Sequence, residues 1–366
     1  MKAAKRALTL FAILGCVFTG GAATGEDGRR SGDGSEDSIT LAVFGDWPYS
    51  QALLASAPLL VNSITADRKV SLVLHVGDIH SGSMPCTGVN LNPPPAGAVP
   101  GWNEGIYDIF QQFRDPVVYT PGDNEWTDCH KSKEFSSGYP LFELAAVRSL
   151  FFATPGLTLG GRPRRVLSQA HVHDHAHPSD AQFVENVMWE ESDVVFVTLN
   201  VPGSNDDLKA WTGIFSNPAA QLQERTDRDA ANLRWLDRAF DRAREEDARA
   251  VLIGLQADMW DPAALPSAGG DGLDGYTPFV RALAAHCLEF GRPVLLINGD
   301  SHLFETDTPL ADPTSATGVI HGTPAVSNLR RITVQGSTNT PSEWLRLTIN
   351  PHAPQVFTWT NVPYLP

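Results

Sequence analysis

Four segments of the chain are short, apolar and rich in leucine and β-branched residues, and each ends on a Gly-Asp pair. They are LAVFGD ending at Asp46, LVLHVGD ending at Asp78, VVYTPGD ending at Asp123 and VLLINGD ending at Asp300. Short apolar runs of this kind are typical of buried parallel strands. The loops that leave the carboxyl ends of such strands form the ligand crevice of an open α/β sheet. We therefore expect four carboxylates to converge on one point, where their like charges require a cation.

The remaining chain alternates between the two kinds of secondary structure. The patterns predict strands over 39–44, 70–76, 117–119, 194–199, 251–255 and 294–297, and strand-like runs over 331–335, 344–349 and 356–360. They predict helices over 51–66, 104–114 and 140–152, and a further helix that Thr226 and Asp229 would cap. This alternation indicates an α/β architecture with mixed or two-layer sheets.

The first 24 residues have the composition of an export signal. Lys2, Lys5 and Arg6 precede an apolar run over 7–15, and small residues follow at 20–24. The segment Ile13-Leu14-Gly15-Cys16 also resembles a bacterial lipobox, so Cys16 is a candidate lipid anchor. Residues 25–38 contain no apolar side chain and indicate a flexible leader, which leaves 39–366 as one domain. We expect an exported protein, either periplasmic, secreted or lipid-anchored at the cell envelope, with no transmembrane segment.

Charge and cysteine content narrow the classes of partner and the compartment. The net charge of −15 argues against nucleic-acid binding. An oxidising compartment permits a disulfide. Cys86 and Cys129 each follow a Gly-Asp pair by a few residues, so we expect their loops to be neighbours and the two residues to be bridged. Cys287 lies in a helix-like stretch and is expected to be a buried free thiol.

The order and placement of the Gly-Asp motifs resemble those of the calcineurin-like metallophosphoesterases, from residue 39 to the end. That family has, in order, D-x-H, G-D-x-x-D, G-N-H-D/E, a lone His after a strand, and G-H-x-H. The resemblance implies a four-layer αββα sandwich of two mixed sheets flanked by helices. It also implies two metals and a metal-bound hydroxide that attacks phosphorus, and so a phosphoesterase acting on a small phosphomonoester or phosphodiester.

The resemblance also assigns a set of candidate metal ligands, although several ligand types differ from the family pattern. Asp46 and Asp78 are retained, Asp78 at the position that bridges two metals, whereas Pro48 stands in place of the first His. The implied ligands are Asp46, Asp78, Asp123, Asn124, Gln256, Asp300 and His302. Gln256 and Asp300 replace histidines, and Asp258 is an alternative to Gln256.

Three residues are candidates for a catalytic role. Asn124 stands where the family has the His that helps to protonate the leaving group, and a slip of one residue would exchange it with Asp123 as a ligand. Glu125 completes the same motif, and both residues would otherwise only shape a turn. His80 follows Asp78 closely enough to reach a metal or a substrate phosphate, or else it faces solvent.

The ligand set is rich in oxygen and has one imidazole. Carboxylate and amide oxygens suit Mn, Mg and Ca, whereas imidazole suits Zn and Fe. We therefore expect one or two divalent ions, with Mn, Mg or Ca favoured over Zn and with iron still compatible. The loss of imidazoles equally fits a catalytically degenerate relative that binds a ligand or partner in the same cleft.

Other features have weaker interpretations. Four histidines lie in the tract 171–177, which indicates either a transition-metal site or a mobile surface loop.

Trp47 and Tyr49, with other aromatic residues in strand-end loops, either line a substrate cleft or pack the loops together. Gly299-Asp300-Ser301 matches the nucleophile motif of GDSL esterases, but no D-x-x-H follows it, so that class is disfavoured.

Overall fold

Two β-sheets pack face to face at the centre of the molecule, and helices cover the outer face of each. This is a computed structural model that describes residues 38–86 and 99–365. The described residues fall in one compact unit. The predicted signal peptide over 1–24, the lipobox at Cys16 and nearly all of the predicted leader lie outside the described residues. No helix among residues 38–86 and 99–365 is long and apolar enough to cross a membrane.

Both sheets are mixed: each contains a run of parallel strands that is extended by antiparallel strands. The strands are β1 (Ile39–Phe44), β2 (Val70–His75), β3 (Val117–Tyr119), β4 (Leu167–Ser168), β5 (Val187–Glu191), β6 (Val194–Thr198), β7 (Ala250–Gly254), β8 (Val294–Asn298), β9 (Glu305–Asp307), β10 (Leu329–Thr333), β11 (Ser342–Ile349) and β12 (Phe357–Leu365). The first sheet has the order β12-β11-β1-β2-β3, and the second has β4-β5-β6-β7-β8-β10-β9. In the first sheet β1, β2 and β3 are parallel, and in the second β6, β7, β8 and β10 are parallel.

The helices are α1 (Gln51–Ala55), α2 (Ala57–Ala66), α3 (Trp102–Phe110), α4 (Pro140–Phe151), α5 (Gln169–Val172), α6 (Gly203–Asp207), α7 (Pro218–Glu245), α8 (Thr277–Phe290) and α9 (Gly318–His321). The element α6 is a turn of left-handed backbone, because Ser204, Asn205 and Asp206 have φ of 56–57°.

Alternation along the strands builds the layers. In β1, Leu41 and Val43 face the second sheet, whereas Ala42 and Phe44 face the helices. This is the two-residue period of a pleated strand that is buried on both faces. One apolar cluster joins the two sheets, a second packs α2, α3 and α4 on the first sheet, and a third packs α7 and α8 on the second. The predicted four-layer αββα fold with mixed sheets is therefore confirmed.

Most predicted elements are present, but two helix predictions were wrong in detail. The helix over 51–66 divides at Ser56 into α1 and α2, and a proline in the first turn of α2 marks the new start. The helix predicted to start at Thr226 and Asp229 instead starts at Pro218. The Asn217 side chain caps it by accepting a hydrogen bond from the backbone N–H of Ala220.

Candidate metal centre

The four Gly-Asp loops meet at the carboxyl ends of the parallel strands. The Asp46 N–H donates to the carbonyl of Gly77 at 2.9 Å, which joins the loops after β1 and β2. The Asp300 N–H donates to Asp46 Oδ1 at 3.1 Å, which brings in the second sheet. The Asn124 N–H lies 3.3 Å from Asp78 Oδ1 and joins the loop after β3. The predicted convergence of the four aspartates is thus seen in the structure.

The first part of the centre, which we call the tyrosine cluster, consists of Asp46, Asp78, His302 and Tyr49. The ligand atoms of Asp46, Asp78 and His302 all lie within 4.8 Å of one another, as a cation site requires. The hydroxyl of Tyr49 lies between them, 3.0 Å from Asp46 Oδ1, 2.9 Å from Asp78 Oδ2 and 3.1 Å from His302 Nε2. One phenol therefore contacts all three candidate ligands.

The second part, which we call the glycine cluster, consists of Asp123, Asp300 and Gln256 around Gly203. Gln256 Nε2 donates to Asp123 Oδ1 at 3.0 Å, and Gln256 Oε1 accepts from the N–H of Gly203. A Cβ on Gly203 would lie 2.7 Å from Asp300 Oδ1 and 2.9 Å from Asp123 Oδ2. The two carboxylates therefore approach the backbone at a point where only glycine leaves room.

Asp258 does not take the place of Gln256 in this arrangement. Its side chain pairs with Arg331 and accepts a hydrogen bond from the Ser301 hydroxyl at 2.8 Å. Only its backbone N–H reaches the cluster, at 3.0 Å from Asp300 Oδ2. The Asp258 side chain is therefore engaged away from Asp123.

Burial and mutual repulsion change the protonation of the carboxyl groups. Burial, followed by the charges of Asp123, Glu125, Asp46 and Asp300, raises the pKa of Asp78 well above its ordinary value. Burial and then Asp123 likewise raise the pKa of Asp300. Burial and then Asp128 raise the pKa of Asp123. In each case the shift favours proton uptake, and a divalent ion would compete with those protons.

The residues present fit a hard divalent cation. Asp46 Oδ2 is buried and has no hydrogen-bond partner among the described residues. This oxygen is therefore free to coordinate a cation. Oxygen atoms dominate the donor set, and His302 supplies the one imidazole. This donor chemistry suits Mn, Mg or Ca better than Zn.

The backbone is in an unusual conformation at four of the candidate ligands. Asp46, Asp78, Asp300 and His302 have φ of 48°, 60°, 75° and 67°, in the left-handed region that few residues other than glycine tolerate. A Cβ on Gly122 would lie 1.9 Å from Asp78 Oδ1. Such strain concentrates at functional sites, where the surrounding structure holds it in place.

The three predicted catalytic residues lie in different surroundings. Asn124 Nδ2 donates to Asp78 Oδ2 at 2.8 Å and lies 3.4 Å from the Tyr49 hydroxyl, so Asn124 touches the tyrosine cluster. Glu125 lies behind the loops, where its Oε1 accepts from Tyr119 at 2.8 Å and from Gly122 at 3.0 Å. Burial raises the pKa of Glu125 to about 7.

His80 belongs to neither cluster. It is buried, and its Nδ1 lies 3.2 Å from the carbonyl of Ser81. Burial lowers the pKa of this imidazole to about 4. Its backbone carbonyl accepts from Asn124 Nδ2 at 3.1 Å, so the backbone of His80 orients the amide while its ring is neutral.

Two further residues touch the candidate ligands. The sequence analysis named Tyr49 as lining a cleft or packing the loops, but did not predict its contacts with the ligands; Ser204 was not identified at all. The Ser204 hydroxyl lies 2.7 Å from Asp123 Oδ2 and 2.6 Å from Lys131 Nζ. Nothing in the sequence around Ser204 indicates the left-handed turn that places it there.

A cavity of about 620 Å³ opens beside the glycine cluster. Asp123 and Asp300 line it together with Ser204, Lys131 and Lys133. Its volume falls in the range of about 300–1,000 Å³ that is typical of small-molecule sites. The candidate metal centre is therefore open to a ligand larger than a phosphate ion.

The predicted disulfide between Cys86 and Cys129 is present, and Cys287 is a buried free thiol as predicted. Cys129 belongs to a short 3-10 helix, Thr127–His130, just after Asp123 and Asn124. The bridge thus ties the loop after β2 to the loop that carries these two residues.

The histidine tract does not form a metal site in the structure. Helix α5 ends at Val172 inside the tract, so the alternating histidines do not lie on one face of a strand. The His173 and His175 rings lie 5.9 Å apart, and neither belongs to a metal-competent group within residues 38–86 and 99–365.

Comparisons with known proteins found distant structural likenesses, one of which is described here. No protein-family model and no curated protein matches the chain. A solved structure described as GAP50, the anchor in the inner membrane complex of Plasmodium, is similar over 89% of each chain at 11% identity, with a TM-score of 0.43. A likeness this distant supports no functional argument, so the proposals below are argued from the site.

Proposed function

We propose that this protein is a divergent metallophosphoesterase, a metal-dependent hydrolase of phosphomonoesters or phosphodiesters. The observation that carries the proposal is the convergence of Asp46, Asp78, Asp123 and Asp300 with His302 at the strand ends, beside an open cavity. Buried carboxylates in such numbers are costly unless a cation neutralises them. The order of these motifs along the chain resembles the calcineurin-like pattern, which supports the same conclusion.

The two clusters divide the candidate ligands between them. Asp46, Asp78 and His302 would hold one ion, and Asp123, Asp300 and Gln256 would contribute to a second. When bound, a divalent ion lowers the pKa of a coordinated water and neutralises charge on a phosphate. The Asn124 amide donates to Asp78 at 2.8 Å and to the carbonyl of His80 at 3.1 Å, so its part in the proposal is to position Asp78.

The cavity residues supply positive charge next to the acidic centre. Lys131 is paired with Asp128 at 2.7 Å and contacts Ser204, which in turn contacts Asp123. Its ammonium pKa is raised, since the attraction of Asp128 and Asp123 outweighs burial. Lys131 therefore remains charged at neutral pH, where it favours the approach of an anionic ester.

The test is turnover of p-nitrophenyl phosphate and bis-p-nitrophenyl phosphate by metal-free protein to which Mn, Mg or Ca is added. We expect turnover that depends on the metal and is lost in Asp78→Asn. Asp241→Asn is the matched control, because the Asp241 side chain is 62% exposed and pairs with a surface arginine. Absence of turnover with every ion would contradict the proposal.

A second candidate function is a ligand-binding module without catalysis. The observation that favours it is the Tyr49 hydroxyl, which already supplies hydrogen bonds at the point where Asp46, Asp78 and His302 meet. A protein that uses this phenol in place of a cation would bind a ligand in the cavity without added metal. Metal-independent ligand binding in the absence of turnover would identify this alternative.

The predicted location and partners also belong to the proposal. The composition of residues 1–24 supports export, with Cys16 as a possible lipid-attachment point, and the Cys86–Cys129 bridge fits an oxidising compartment. The expected partner is a small phosphorylated molecule.

A further inference from the structure

Lysine and aspartate side chains alternate in a chain of ion pairs beside the cavity. Its three lysines, Lys131, Lys133 and Lys209, line the cavity. Asp128 is shared by two of them, because its Oδ1 lies 2.7 Å from Lys131 Nζ and its Oδ2 lies 2.9 Å from Lys133 Nζ. Asp271 is also shared, since its Oδ2 lies 3.7 Å from Lys131 Nζ and its Oδ1 pairs with Lys209. We call these five residues the ionic chain, and its three lysines and two aspartates leave one net positive charge.

One part of the ionic chain touches the candidate metal centre. The Ser204 hydroxyl lies 2.6 Å from Lys131 Nζ and 2.7 Å from Asp123 Oδ2. Burial and then the charge of Asp128 raise the pKa of Asp123, and the positive charges of the two nearest lysines oppose that rise. A phosphate bound beside Asp123 would therefore also lie in the field of Lys131 and Lys133.

Lys209, at the other end of the ionic chain, keeps the capacity to bind an anion. Its side chain is 54% exposed, and within residues 38–86 and 99–365 its ammonium contacts Asp271 alone. An ammonium has three N–H donors, so two remain for a ligand. Lys131 is only 16% exposed, and Ser204 and the two shared aspartates occupy its three donors. The unused donors of the ionic chain therefore include those of Lys209, at the end away from Asp123.

Two further aspartates that line the cavity have donors of their own. Asp258 pairs with Arg331, whose guanidinium neutralises it. Asp261 accepts a hydrogen bond from the N–H of Ala263 at 2.8 Å and so caps a short 3-10 helix, Pro262–Ala264. The lysines of the ionic chain are therefore the cavity groups that suit an anionic ligand.

We infer that Lys209 binds a second anionic group of the substrate, so that the substrate is a phosphate ester whose alcohol carries a further phosphate or carboxylate. The inference rests on the proposed function and names its substrate class. The phosphate that is hydrolysed would bind beside Asp123 and Asp300, which line the same cavity. The alcohol would then extend along the ionic chain, and its own anionic group would accept hydrogen bonds from Lys209.

The test compares esters that differ only in the second charge. The bisphosphates of ethane-1,2-diol, butane-1,4-diol and hexane-1,6-diol are each compared with the n-alkyl monophosphate of equal length, at a fixed concentration of free Mn²⁺. Two equivalent phosphates give a statistical advantage of about twofold. We expect kcat/KM for at least one bisphosphate to exceed that of its monophosphate about tenfold or more, because hydrogen bonds to a charged group are strong. We also expect this ratio to fall as the salt concentration rises.

A second series, with a terminal carboxylate in place of the second phosphate, shows which anion the site prefers. A preference for either series over the uncharged esters supports the inference. Ratios of about twofold or less for every bisphosphate and every carboxylate, with turnover intact, would overturn the inference and leave the proposed function in place.

The variant that tests the assigned residue is Lys209→Gln, which is expected to lower the ratio to about threefold or less. The matched control is Lys69→Gln, because Lys69 is an exposed lysine just before β2 and does not line the cavity. This control is expected to keep the wild-type ratio. An unchanged ratio in Lys209→Gln would overturn the assignment of the second anionic group to this lysine.

A binding measurement separates this inference from the proposed function. Titration of butane-1,4-diphosphonate and of butylphosphonate into the manganese-loaded protein by calorimetry needs no turnover. Tighter binding of the diphosphonate that Lys209→Gln weakens, together with no hydrolysis of any ester, would support the second anion site and contradict the proposed function. Equal affinities for the two phosphonates would count against the inference, whether or not the esters are hydrolysed.

Discussion

Tyr49 is the residue that most directly affects cation binding at the tyrosine cluster. Its hydroxyl contacts two carboxylates and one imidazole within 3.1 Å. Burial, and then the charges of Asp46 and Asp78, raises the pKa of this phenol well above its ordinary value. The phenol is therefore neutral at physiological pH, and its single O–H proton is donated towards the oxygens of Asp46 and Asp78.

We predict that Tyr49→Phe binds Mn²⁺ about tenfold more tightly than the wild-type protein, a change of about 1.4 kcal/mol. The variant removes a donor that competes with the cation for the same oxygens. We also expect the metal-free variant to lose about 1–3 kcal/mol of stability, because buried polar groups lose their partner. Calorimetric titration and chemical denaturation measure these two effects. Weaker binding in the variant would show that the phenol oxygen is itself a ligand.

Gly203 controls the glycine cluster through its lack of a side chain. A Cβ there would lie 2.7 Å from Asp300 Oδ1. We predict that Gly203→Ala lowers the affinity for a second Mn²⁺ by about tenfold or more, since one oxygen donor is displaced. Gly105→Ala is the control, because nothing lies within 4 Å of a Cβ at that helical position. A second metal equivalent that binds unchanged in Gly203→Ala would contradict the assignment of this cluster.

At the scale of elements, His75 at the end of β2 holds the loop after β1 against the loop after β2. Its Nδ1 accepts from the N–H of Gly77 at 3.2 Å, and its Nε2 lies 3.3 Å from the carbonyl of Trp47. This pair of contacts requires a neutral imidazole, with the proton on Nε2. The ring packs against Phe44, Phe110 and Tyr119, and burial lowers its pKa to about 4.

We predict that His75 makes the protein acid-sensitive. Because its pKa is lower in the folded state, the unfolded chain binds more protons between pH 6.5 and about 4. The stability that His75 contributes is present above pH 6.5 and falls by about 1.4 kcal/mol per pH unit below it. Denaturation between pH 7.5 and 4.5 measures this slope. The slope should be smaller in His75→Gln and unchanged in His175→Gln, a surface histidine. Equal slopes in all three proteins would contradict the prediction.

The sequence predicts strands well where an uninterrupted apolar run is buried along its whole length. β1, β3 and β8 match the predicted runs closely, because every residue in them is buried. The antiparallel strands β4, β5 and β9 were not predicted. β4 and β9 have only two or three residues, too few to show an alternating pattern. The start of α7 was misplaced because Thr226 and Asp229 form a capping pattern inside a helix that Asn217 and Pro218 already begin.

The candidate site was predictable to the extent that it follows strand ends. Asp46, Asp78, Asp123 and Asp300 were found from their Gly-Asp pairs, because parallel strands bring their carboxyl ends to one edge. Ser204 was not found, and for Tyr49 lining of a cleft and packing of the loops could not be told apart, because each residue reaches the site through local backbone conformation. The left-handed turn after β6 that carries Ser204 has no periodic signal in the sequence.

At the scale of the whole molecule, the two sheets act together to form one centre. The first sheet supplies Asp46, Asp78 and Asp123, and the second supplies Asp300. The Asp300 N–H donates to Asp46, and the Ser337 N–H donates to the carbonyl of Asp46 at 3.0 Å, so loops of the second sheet hold the first ligand. A cation bound at this junction would stabilise the contact between the sheets.

The most direct test of the central claim is calorimetric titration of Mn²⁺ into the metal-free protein at pH 7. The account predicts saturable binding of one or two equivalents, with a rise in thermal stability as the ion concentration exceeds its dissociation constant. It also predicts that Asp78→Asn, which alters a carboxylate of the tyrosine cluster, abolishes or strongly weakens binding of at least one equivalent, while Asp241→Asn does not. Wild-type protein that binds no Mn²⁺, Mg²⁺ or Ca²⁺ would contradict the claim that these carboxylates form a metal centre.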